Sequence, residues 1–417
     1  MRAVLYREFG GPVGVESVAD PAPPPGGVVV RVLATGLCRS DWHGWMGHDP
    51  DIGLPHVPGH EFAGTIAAVG AGVTGWQAGD RVTAPFVCAC GHCAACAAGD
   101  QQVCEQQAQP GFTYWGSFAD YVVVPAAAVN LIRLDGELSY AAAAALGCRF
   151  ATAYRAVADQ GRVRPGEWVA VHGCGGIGLS AVMIAAAAGA RVVAVDVTEA
   201  ALNLAQRCGA EIGVQVLPEA GSAAAGTPAT PEQAAAAGLA PAPGRAAETG
   251  LAGAPGLAAG TGLAGAPGLA AEARMAKGAN RLAVPAAAVA ETVVGLTGGG
   301  AQLSLDALGS EATCANSILS LRRRGRHVQV GLLPAALGRP RLPMDKVIAA
   351  ELEILGSHGM AAHAYPRLLA LIAAGTLDPG LLVTQTLGLD AAPQALASMD
   401  RQAQPGIRLI EPGRAGD

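Results

Sequence analysis

Three residues that lie far apart in the chain, Cys38, His60 and Cys148, could together bind a metal ion. Cysteine sulfur and histidine nitrogen are preferred zinc ligands. Two thiolates with one imidazole form an established catalytic set, which leaves the fourth tetrahedral position open. Zinc in such a site polarises a bound oxygen and lowers the pKa of its proton. These residue types therefore predict a catalytic zinc site.

Two carboxylates stand next to this set. Asp41 can accept the second ring N–H of His60 and so fix the tautomer of that ligand. Glu61 follows His60 directly and has two open interpretations. It could bind the zinc ion transiently, or it could be a structural carboxylate held by nearby donors. The sequence favours neither, so Glu61 is kept with the candidate metal ligands.

Four further cysteines form a local cluster with the spacing C-x2-C-x2-C-x7-C: Cys90, Cys93, Cys96 and Cys104. Four thiolates at such short spacing can close a tetrahedron around zinc and leave no open position, which is typical of a structural site. Cys88 lies outside the pattern and is interpreted as a buried thiol. The sequence therefore predicts a second, structural zinc ion.

A glycine-rich loop indicates a dinucleotide cofactor. The apolar strand predicted at 168–172 runs into G-x-G-x-x-G and then into an Ala-rich helix. Glycines in this context let the backbone approach a pyrophosphate at the helix N-terminus. The predicted cofactor-binding residues of the loop are Gly173, Gly175, Gly176, Ile177 and Gly178. Asp196 ends the next predicted strand, where it can bind both ribose hydroxyls and repel a 2′-phosphate, so NAD is favoured over NADP.

The segment that begins at Gly59 carries the pattern G-H-E-x2-G-x5-G-x2-V at every position, as far as Val73. With the two cysteine patterns and the fingerprint, this sequence resembles the zinc-dependent alcohol dehydrogenases of the medium-chain dehydrogenase/reductase superfamily. The resemblance covers about 1–217 and 285–410. It implies transfer of a hydride between an alcohol and NAD, which interconverts alcohols with aldehydes or ketones, and two Zn2+ ions per chain.

The resemblance also implies roles for individual residues. Ser40 would hydrogen-bond the alcohol and pass its proton through the nicotinamide ribose to His43. Arg39 and Arg408 would contact the cofactor pyrophosphate, and the backbone at Val330 would meet the nicotinamide carboxamide. The aromatic residues expected to line an apolar substrate pocket are Phe86, Trp42, Trp45 and Trp115. Such a pocket favours an uncharged alcohol or aldehyde.

The expected fold is α/β. By resemblance, residues 1–149 form the first part of a GroES-like, partly open β-barrel catalytic domain, and 356–417 complete it. Residues 150–355 form a Rossmann domain with a doubly wound parallel sheet. An Ala/Gly/Pro-rich stretch over 218–284, part of which repeats with a period of 12 residues, interrupts this domain. It is predicted to be a disordered insertion that leaves from a strand at the sheet edge.

The composition of the chain limits the classes of partner that we expect. The net charge is −6, so the sequence lacks the excess of basic residues that indicates nucleic-acid binding. No long apolar run predicts a membrane span, and the N-terminus lacks the apolar stretch of a signal peptide. The expectation is a soluble cytoplasmic protein whose ten cysteines are ligands or buried thiols. By analogy with the family it forms a homodimer or homotetramer.

Other functions remain open. A polyol or amino-alcohol dehydrogenase of the same superfamily is the nearest alternative, although polyol enzymes commonly carry a carboxylate near the position of Cys148. A zinc-free quinone reductase is disfavoured because it would not need the three candidate ligands. A catalytically silent nucleotide-binding scaffold, with the insertion recruiting a partner, is disfavoured by the intact Ser40 and His43.

Overall fold

The computed structural model describes residues 1–134, 136, 138–218, 274–275, 280–333, 339–401 and 404–414. Most of the insertion predicted over 218–284 therefore lies outside the described residues. Two sheets dominate the described chain, one antiparallel for the most part and one parallel for the most part. Among the described residues, no helix is long and apolar enough to cross a membrane.

The first sheet is built mainly from the N-terminal third of the chain. Its neighbours β1 and β2 form a separate antiparallel pair. The strands of this part are β1 (Arg2–Tyr6), β2 (Val13–Ser17), β3 (Val28–Leu37), β4 (Phe62–Val69), β5 (Arg81–Thr83), β6 (Tyr121–Val124) and β7 (Ile132–Arg133). The long β3 pairs with both β4 and β6 in antiparallel register. Alternating apolar residues of these strands bury one common core, as expected of a barrel-like sheet.

The second sheet is formed by the middle of the chain. Its strands are β8 (Trp168–His172), β9 (Arg191–Asp196), β10 (Ile212–Leu217), β11 (Arg274–Met275), β12 (Arg281–Pro285), β13 (Ala301–Asp306), β14 (Leu321–Gln329) and β15 (Glu353–Gly356). Their order is β11-β12-β10-β9-β8-β13-β14-β15, and all neighbours are parallel except β11 and β12. The near-continuous apolar runs of β8 and β9 are buried on both faces, which is the usual environment of parallel strands.

The chain then returns to the first sheet. Strands β16 (Val383–Gly388) and β17 (Ile407–Glu411) join it, and β17 pairs with β3, so that Arg408 lies opposite Leu37. The described helices are Arg39–Trp45, Ala94–Ala97, Ala127–Asn130, Tyr140–Ala144, Ala151–Tyr154, Gly176–Ala187, Glu199–Arg207, Val289–Leu296, Glu311–Leu319, Met344–Ala349, Tyr365–Ala373 and Ala392–Ala397. Two π-helical turns, Leu146–Phe150 and Arg155–Gln160, flank the helix Ala151–Tyr154.

The structure confirms the predicted strands at β8, β9 and β10 but corrects the end of the insertion. Residues 281–284 belong to β12 and are not irregular. The sequence also predicts a helix over 285–296 with Pro285 in its first turn, but Pro285 ends β12 and the α-helix begins at Val289. Val284 packs in the same apolar cluster as Val214, and Leu282, which lies opposite Val214 in the parallel register, is also buried. These two side chains share one face of the strand. Because β12 pairs with β10, the expectation that the insertion leaves from an edge strand is also wrong.

Candidate active site

The three candidate catalytic ligands come from three separate elements. Cys38 lies between β3 and the helix Arg39–Trp45, His60 lies in the loop before β4, and Cys148 lies in the π-helical turn Leu146–Phe150. All three side chains are buried, and one ligand atom from each, together with a Glu61 oxygen, lies within 4.8 Å of all the others. The fold therefore brings together the residues that the sequence grouped by chemistry.

Asp41 orients the histidine of this cluster. Its Oδ1 lies 2.9 Å from His60 Nδ1 and also accepts the Gly59 N–H at 3.1 Å. Its Oδ2 accepts the Cys38 N–H at 2.8 Å, which caps the helix that follows. His60 Nε2 is buried and, among the described residues, has no hydrogen-bond partner. An imidazole with Nδ1 bound to a carboxylate and Nε2 free fits a metal ligand.

The pKa values of the two cysteines of the cluster shift in opposite directions. A hydrogen bond from the Cys148 thiol lowers the pKa of Cys38 well below its ordinary value, and the positive charge of Arg149 adds to this effect. The same hydrogen bond raises the pKa of Cys148. Burial opposes the charged form of His60, but Asp41 and Cys38 outweigh burial and raise the pKa of that ring. Negative charge is therefore concentrated where a cation would bind.

Glu61 is held by Arg149. Its Oε1 accepts the Arg149 backbone N–H at 2.9 Å and the Nε–H at 3.0 Å, and its Oε2 accepts from Nε at 2.9 Å and from Nη2. Burial opposes the charge on Arg149, but the Glu61 carboxylate outweighs burial and raises the pKa of the guanidinium. Of the two interpretations of Glu61, these contacts favour the structural carboxylate.

The proposed proton-relay residues lie at the mouth of the cluster. Ser40 Oγ is 3.8 Å from Cys38 Sγ. His43 Nδ1 lies 2.9 Å from Nδ1 of His48, a residue to which the sequence assigned no role. Burial, His48 and Arg39 lower the pKa of His43 to about 4, so its ring is neutral at neutral pH. Neither residue is hydrogen-bonded to the other in the described part of the chain.

Aromatic rings line one side of the cluster. The centroid of Phe86 lies 6.2 Å from that of His60, and Phe112, which the sequence did not single out, lies 5.3 Å from it. Trp42 and Trp45 are buried in the same apolar cluster as Phe112, and Trp115 packs with Leu5 and Val57. Of the predicted wall residues, Phe86 is the one whose ring packs against His60 in the described part of the chain.

The four cysteines of the local cluster also converge. Their Sγ atoms lie within 4.8 Å of one another. Backbone N–H groups point at the sulfurs: His92 and Cys93 donate to Cys90 at 3.5 and 3.4 Å, and Cys90 donates to Cys104 at 3.3 Å. The N–H of Cys96 lowers the pKa of Cys93 to about 6. Such donors stabilise thiolates, so the loop fits a zinc ion.

Cys88 stays apart from this cluster. The Tyr114 hydroxyl donates to its sulfur at 3.7 Å, and burial raises the pKa of the thiol to about 12. A neutral thiol in an apolar core is the environment that the sequence predicted for the extra cysteine.

The glycine-rich loop sits at the end of β8. Gly173 has a φ of +89°, and a Cβ on Gly178 would lie 1.7 Å from the Gly173 oxygen, so both positions require glycine. A Cβ on Gly175 would meet nothing within 4 Å, which leaves that backbone open to a ligand. Asp196, at the end of β9, accepts the Cys174 N–H of the loop at 2.7 Å and the Thr198 N–H at 2.8 Å.

The remaining predicted cofactor contacts lie around these elements. Arg39 donates to the Met399 oxygen at 2.9 Å and stacks 4.5 Å over Trp42. The Val330 N–H donates to the Asp306 oxygen at 3.0 Å. Arg408 is buried on β17, where its Nη2 lies 3.5 Å from the Ala395 oxygen. None of these contacts occupies a whole guanidinium, so both arginines retain donors for an anion.

Two residues that follow Cys148 in the sequence were given no role by the sequence analysis. Arg149 comes directly after this ligand, and a charge in an otherwise apolar, Ala-rich run is a signal of pairing. Thr152 lies four residues after Cys148, and its buried Oγ1 has no partner among the described residues. Nothing in its sequence context distinguishes this hydroxyl from a helix-packing threonine.

Comparison with known proteins agrees with the two-sheet architecture. Residues 24–135 match the alcohol dehydrogenase GroES-like domain, and residues 261–374 match the zinc-binding dehydrogenase family. An alcohol dehydrogenase from Geobacillus stearothermophilus is 41% identical over 216 residues, and one from Rhizobium meliloti is 40% identical over the same length. Each alignment covers 51% of this chain and 63% of the relative.

Solved structures extend the similarity along the whole chain. The crystal structure of an NAD-dependent alcohol dehydrogenase has a TM-score of 0.75 at 28% identity and covers 99% of this chain and 100% of its own. The alcohol dehydrogenase of Thermus sp. ATN1 has a TM-score of 0.74 at 29% identity and covers 99% of both chains. The predicted α/β fold, with a GroES-like domain and a Rossmann-like parallel sheet, is confirmed. The chain therefore carries the two domains of these family models and is similar along its length to alcohol dehydrogenases of known structure.

Proposed function

We propose that this protein is a zinc-dependent oxidoreductase that transfers a hydride between an alcohol and NAD, interconverting alcohols with aldehydes or ketones. One observation carries the proposal. Cys38, His60 and Cys148 converge in a buried cluster in which Asp41 holds one nitrogen of His60 and leaves the other free. A structural carboxylate and an unpartnered imidazole nitrogen suit a three-ligand zinc site with one open position.

The residues that would hold the metal and the cofactor are separate. The catalytic ion would bind Cys38, His60 and Cys148, and a second ion would bind Cys90, Cys93, Cys96 and Cys104, which makes two Zn2+ per chain. The glycine-rich loop and Asp196 would hold NAD. When bound, the catalytic zinc supplies a Lewis acid and NAD supplies the hydride acceptor.

The remaining steps belong to side chains of this chain. Ser40 lies next to Cys38, so its hydroxyl can accept the substrate proton and donate its own. His43 is neutral at neutral pH because its pKa is about 4, and it has one ring nitrogen left after its contact with His48. It can therefore receive the proton at the mouth of the site. Phe86 and Phe112 exclude water from the ring side of His60.

The preference for NAD rests on Asp196. Three donors, the N–H groups of Cys174 and Thr198 and the Thr198 hydroxyl, fix its carboxylate at the end of β9. A fixed negative charge there favours two ribose hydroxyls and opposes a 2′-phosphate. The apolar wall favours an uncharged alcohol over a polyol, which would leave several hydroxyls without partners.

A single assay tests this proposal. Purified, zinc-replete protein is incubated with primary, secondary, aromatic, polyhydroxy and amino alcohols, each with NAD and with NADP, and reduced cofactor is measured. Turnover of simple alcohols with NAD is the expected result. Turnover confined to sorbitol or threonine would instead indicate a polyol or amino-alcohol dehydrogenase. A zinc-loaded protein that turns over none of the alcohols would favour a catalytically silent nucleotide-binding scaffold.

We further propose a homodimer or homotetramer in a reducing compartment, the cytoplasm. All ten cysteines are free, as two thiolate sites require. Strand β15 is outermost in the described part of its sheet, and the exposed Met344, Ile348 and Ile354 lie on or near it. An uncovered strand with apolar neighbours suits pairing with a second copy. Light scattering of the wild type and of Ile354→Lys tests this, and a monomeric wild type would contradict it.

A further inference from the structure

The ion pair between Arg149 and Glu61 touches the chain next to every candidate catalytic ligand. Glu61 follows His60, and Arg149 follows Cys148. Arg149 Nη1 donates at 3.2 Å to the oxygen of Leu37, the residue before Cys38. One guanidinium therefore joins three chain segments that meet only in the folded protein. A buried fork of this kind fixes relative positions more firmly than a single hydrogen bond.

The same pair controls what Glu61 can do. A Glu61 oxygen lies within 4.8 Å of the sulfur and nitrogen ligands, so this carboxylate is close enough to join the metal set. However, both of its oxygens accept hydrogen bonds from Arg149. Coordination of a metal by Glu61 would require those bonds to break in a buried site, where an unpaired guanidinium is costly.

Arg149 also contacts the glycine-rich loop. A Cβ built on Gly176 would lie 2.5 Å from Arg149 Cδ and 3.3 Å from its Nε and Nη1. Gly176 therefore lacks a side chain because Arg149 fills the space. The neighbouring Gly175 has nothing within 4 Å. The sequence analysis grouped Gly175 and Gly176 together, but the surroundings that favour glycine differ at the two positions.

We propose that Arg149 is a positioning residue that keeps the catalytic metal centre a three-ligand site and couples its geometry to the dinucleotide loop through Gly176. The inference rests on the zinc-binding part of the proposed function. Among the described residues, the hydrogen bonds of the Arg149 side chain go to Glu61 and to the Leu37 oxygen. It acts through Glu61, through the backbone before Cys38, and through the first residue of the helix Gly176–Ala187.

The test uses Co2+ in the catalytic site of the full chain, without cofactor, and reads the d–d absorption bands, which weaken when a fifth ligand joins a tetrahedral ion. Arg149→Met keeps an apolar stem but frees Glu61, so a loss of band intensity is expected. Adding Glu61→Gln to that variant should restore the wild-type spectrum, because an amide is a poor substitute for the carboxylate. Circular dichroism and retention of the Cys90–Cys104 metal report on folding, and Arg149→Gln, which also removes the positive charge, replaces the Met variant if it misfolds.

A matched pair of loop variants tests the coupling. Gly176→Ala places a methyl group against Arg149 and should shift the Co2+ spectrum, although Gly176 lies far from every ligand in sequence. Gly175→Ala adds the same methyl group to open space and should leave the cofactor-free spectrum unchanged. Identical spectra for wild type, Gly176→Ala and Arg149→Met would overturn the proposal.

Cofactor affinity gives an independent readout. The NADH dissociation constant of the wild type should fall about fivefold when the metal is loaded, and this ratio should approach one in Arg149→Met. An equal ratio in both proteins would overturn the coupling. Because neither measurement needs turnover, a wild type with the expected spectra but no alcohol oxidation would contradict the proposed function alone. A normal dehydrogenase whose spectrum ignores Arg149 would contradict this inference alone.

Discussion

The two cysteine sites of this protein are built in opposite ways. The Cys90–Cys104 cluster takes all of its candidate ligands from one short loop, and backbone N–H groups of the same loop donate to the sulfurs. The Cys38 cluster takes its ligands from two loops of the first sheet and from a π-helical turn, and side chains, not backbone, complete its surroundings. Local chain geometry is sufficient for the first site, whereas the second requires the whole fold.

This difference corresponds to a difference in chemistry. A loop with four thiolates closes the metal shell and leaves no position for a substrate. The Cys38 cluster also contains four candidate ligand residues, but its Glu61 is hydrogen-bonded to Arg149, and Ser40 lies beside Cys38. An open position next to exchangeable protons is what catalysis requires. The comparison teaches that the number of ligands alone does not distinguish the sites, since neighbouring residues decide which shell stays open.

The largest expected effect comes from Cys38→Ala. Loss of one of three ligands should release the catalytic metal and lower kcat/KM for the best alcohol by about a thousandfold or more, since a Lewis acid contributes several kcal/mol to the transition state. Metal analysis should find one zinc per chain where the wild type has two. Cys88→Ala is the matched control, because it removes a buried thiol outside both clusters and should leave both metals in place. Full activity of Cys38→Ala would contradict the assignment of the catalytic role to the Cys38 cluster.

The second effect is on stability. Cys104→Ala removes the ligand that closes the local cluster, and loss of a structural metal belongs to the large end of single-residue effects, about 4 kcal/mol in the free energy of unfolding. Urea denaturation measures this change. Turnover by the remaining folded protein should persist at low temperature, since the Cys38 cluster is intact. A collapse of kcat as deep as that of Cys38→Ala, with no loss of stability, would show that the two sites do not divide their roles.

A smaller effect is expected for Asp41→Asn. The amide can still accept one hydrogen bond but no longer stabilises the His60 N–H as a carboxylate does, so metal affinity or activity should fall by about 10- to 100-fold. Competition with a chelator measures the affinity. Asp51→Asn, on the exposed loop nearby, is the control. An unchanged affinity would mean that the side-chain surroundings of the Cys38 cluster matter no more than those of the local loop.

The sequence was sufficient for the local site and for the parts of the fold with strong patterns. Cys90, Cys93, Cys96 and Cys104 are recognisable by spacing alone because a short loop determines its own geometry. The apolar strand β8 was predicted with its bounds, and β9 with its last residue, because buried parallel strands leave continuous apolar runs. The grouping of Cys38, His60 and Cys148 depended on residue chemistry and family resemblance, since no periodicity links residues so far apart.

Other features could not be read from the sequence for physical reasons. Strand β12 lies next to a low-complexity stretch, and only its pairing with β10 reveals why Leu282 and Val284 are buried. Arg149 is adjacent to a ligand in sequence, but its contacts with Leu37, Glu61 and Gly176 exist only in three dimensions. Glu61 had two interpretations until its donors were known. Long-range polar partners are the information that a single sequence lacks.

The smallest expected effect is on the titration of His43. This residue is the proposed proton acceptor of the Cys38 cluster, and no such role is assigned at the Cys90–Cys104 cluster. Burial, then the charges of His48 and Arg39, lower its pKa to about 4, so its ring should remain neutral as pH falls from 6.5 toward 4 and gain a proton only near pH 4. His48→Ala removes one neighbouring charge and part of the burial, so the pKa of His43 should rise toward its ordinary value. The acid limb of the kcat/KM profile should then move to higher pH, by less than about one unit. Phe9→Ala, at an exposed ring on the same side of the first sheet, controls for general loosening, and the metal content should stay the same in all three proteins. An acid limb that stays fixed in His48→Ala would remove His43 from the proton path and leave Ser40 as the last group of the site that exchanges protons with solvent.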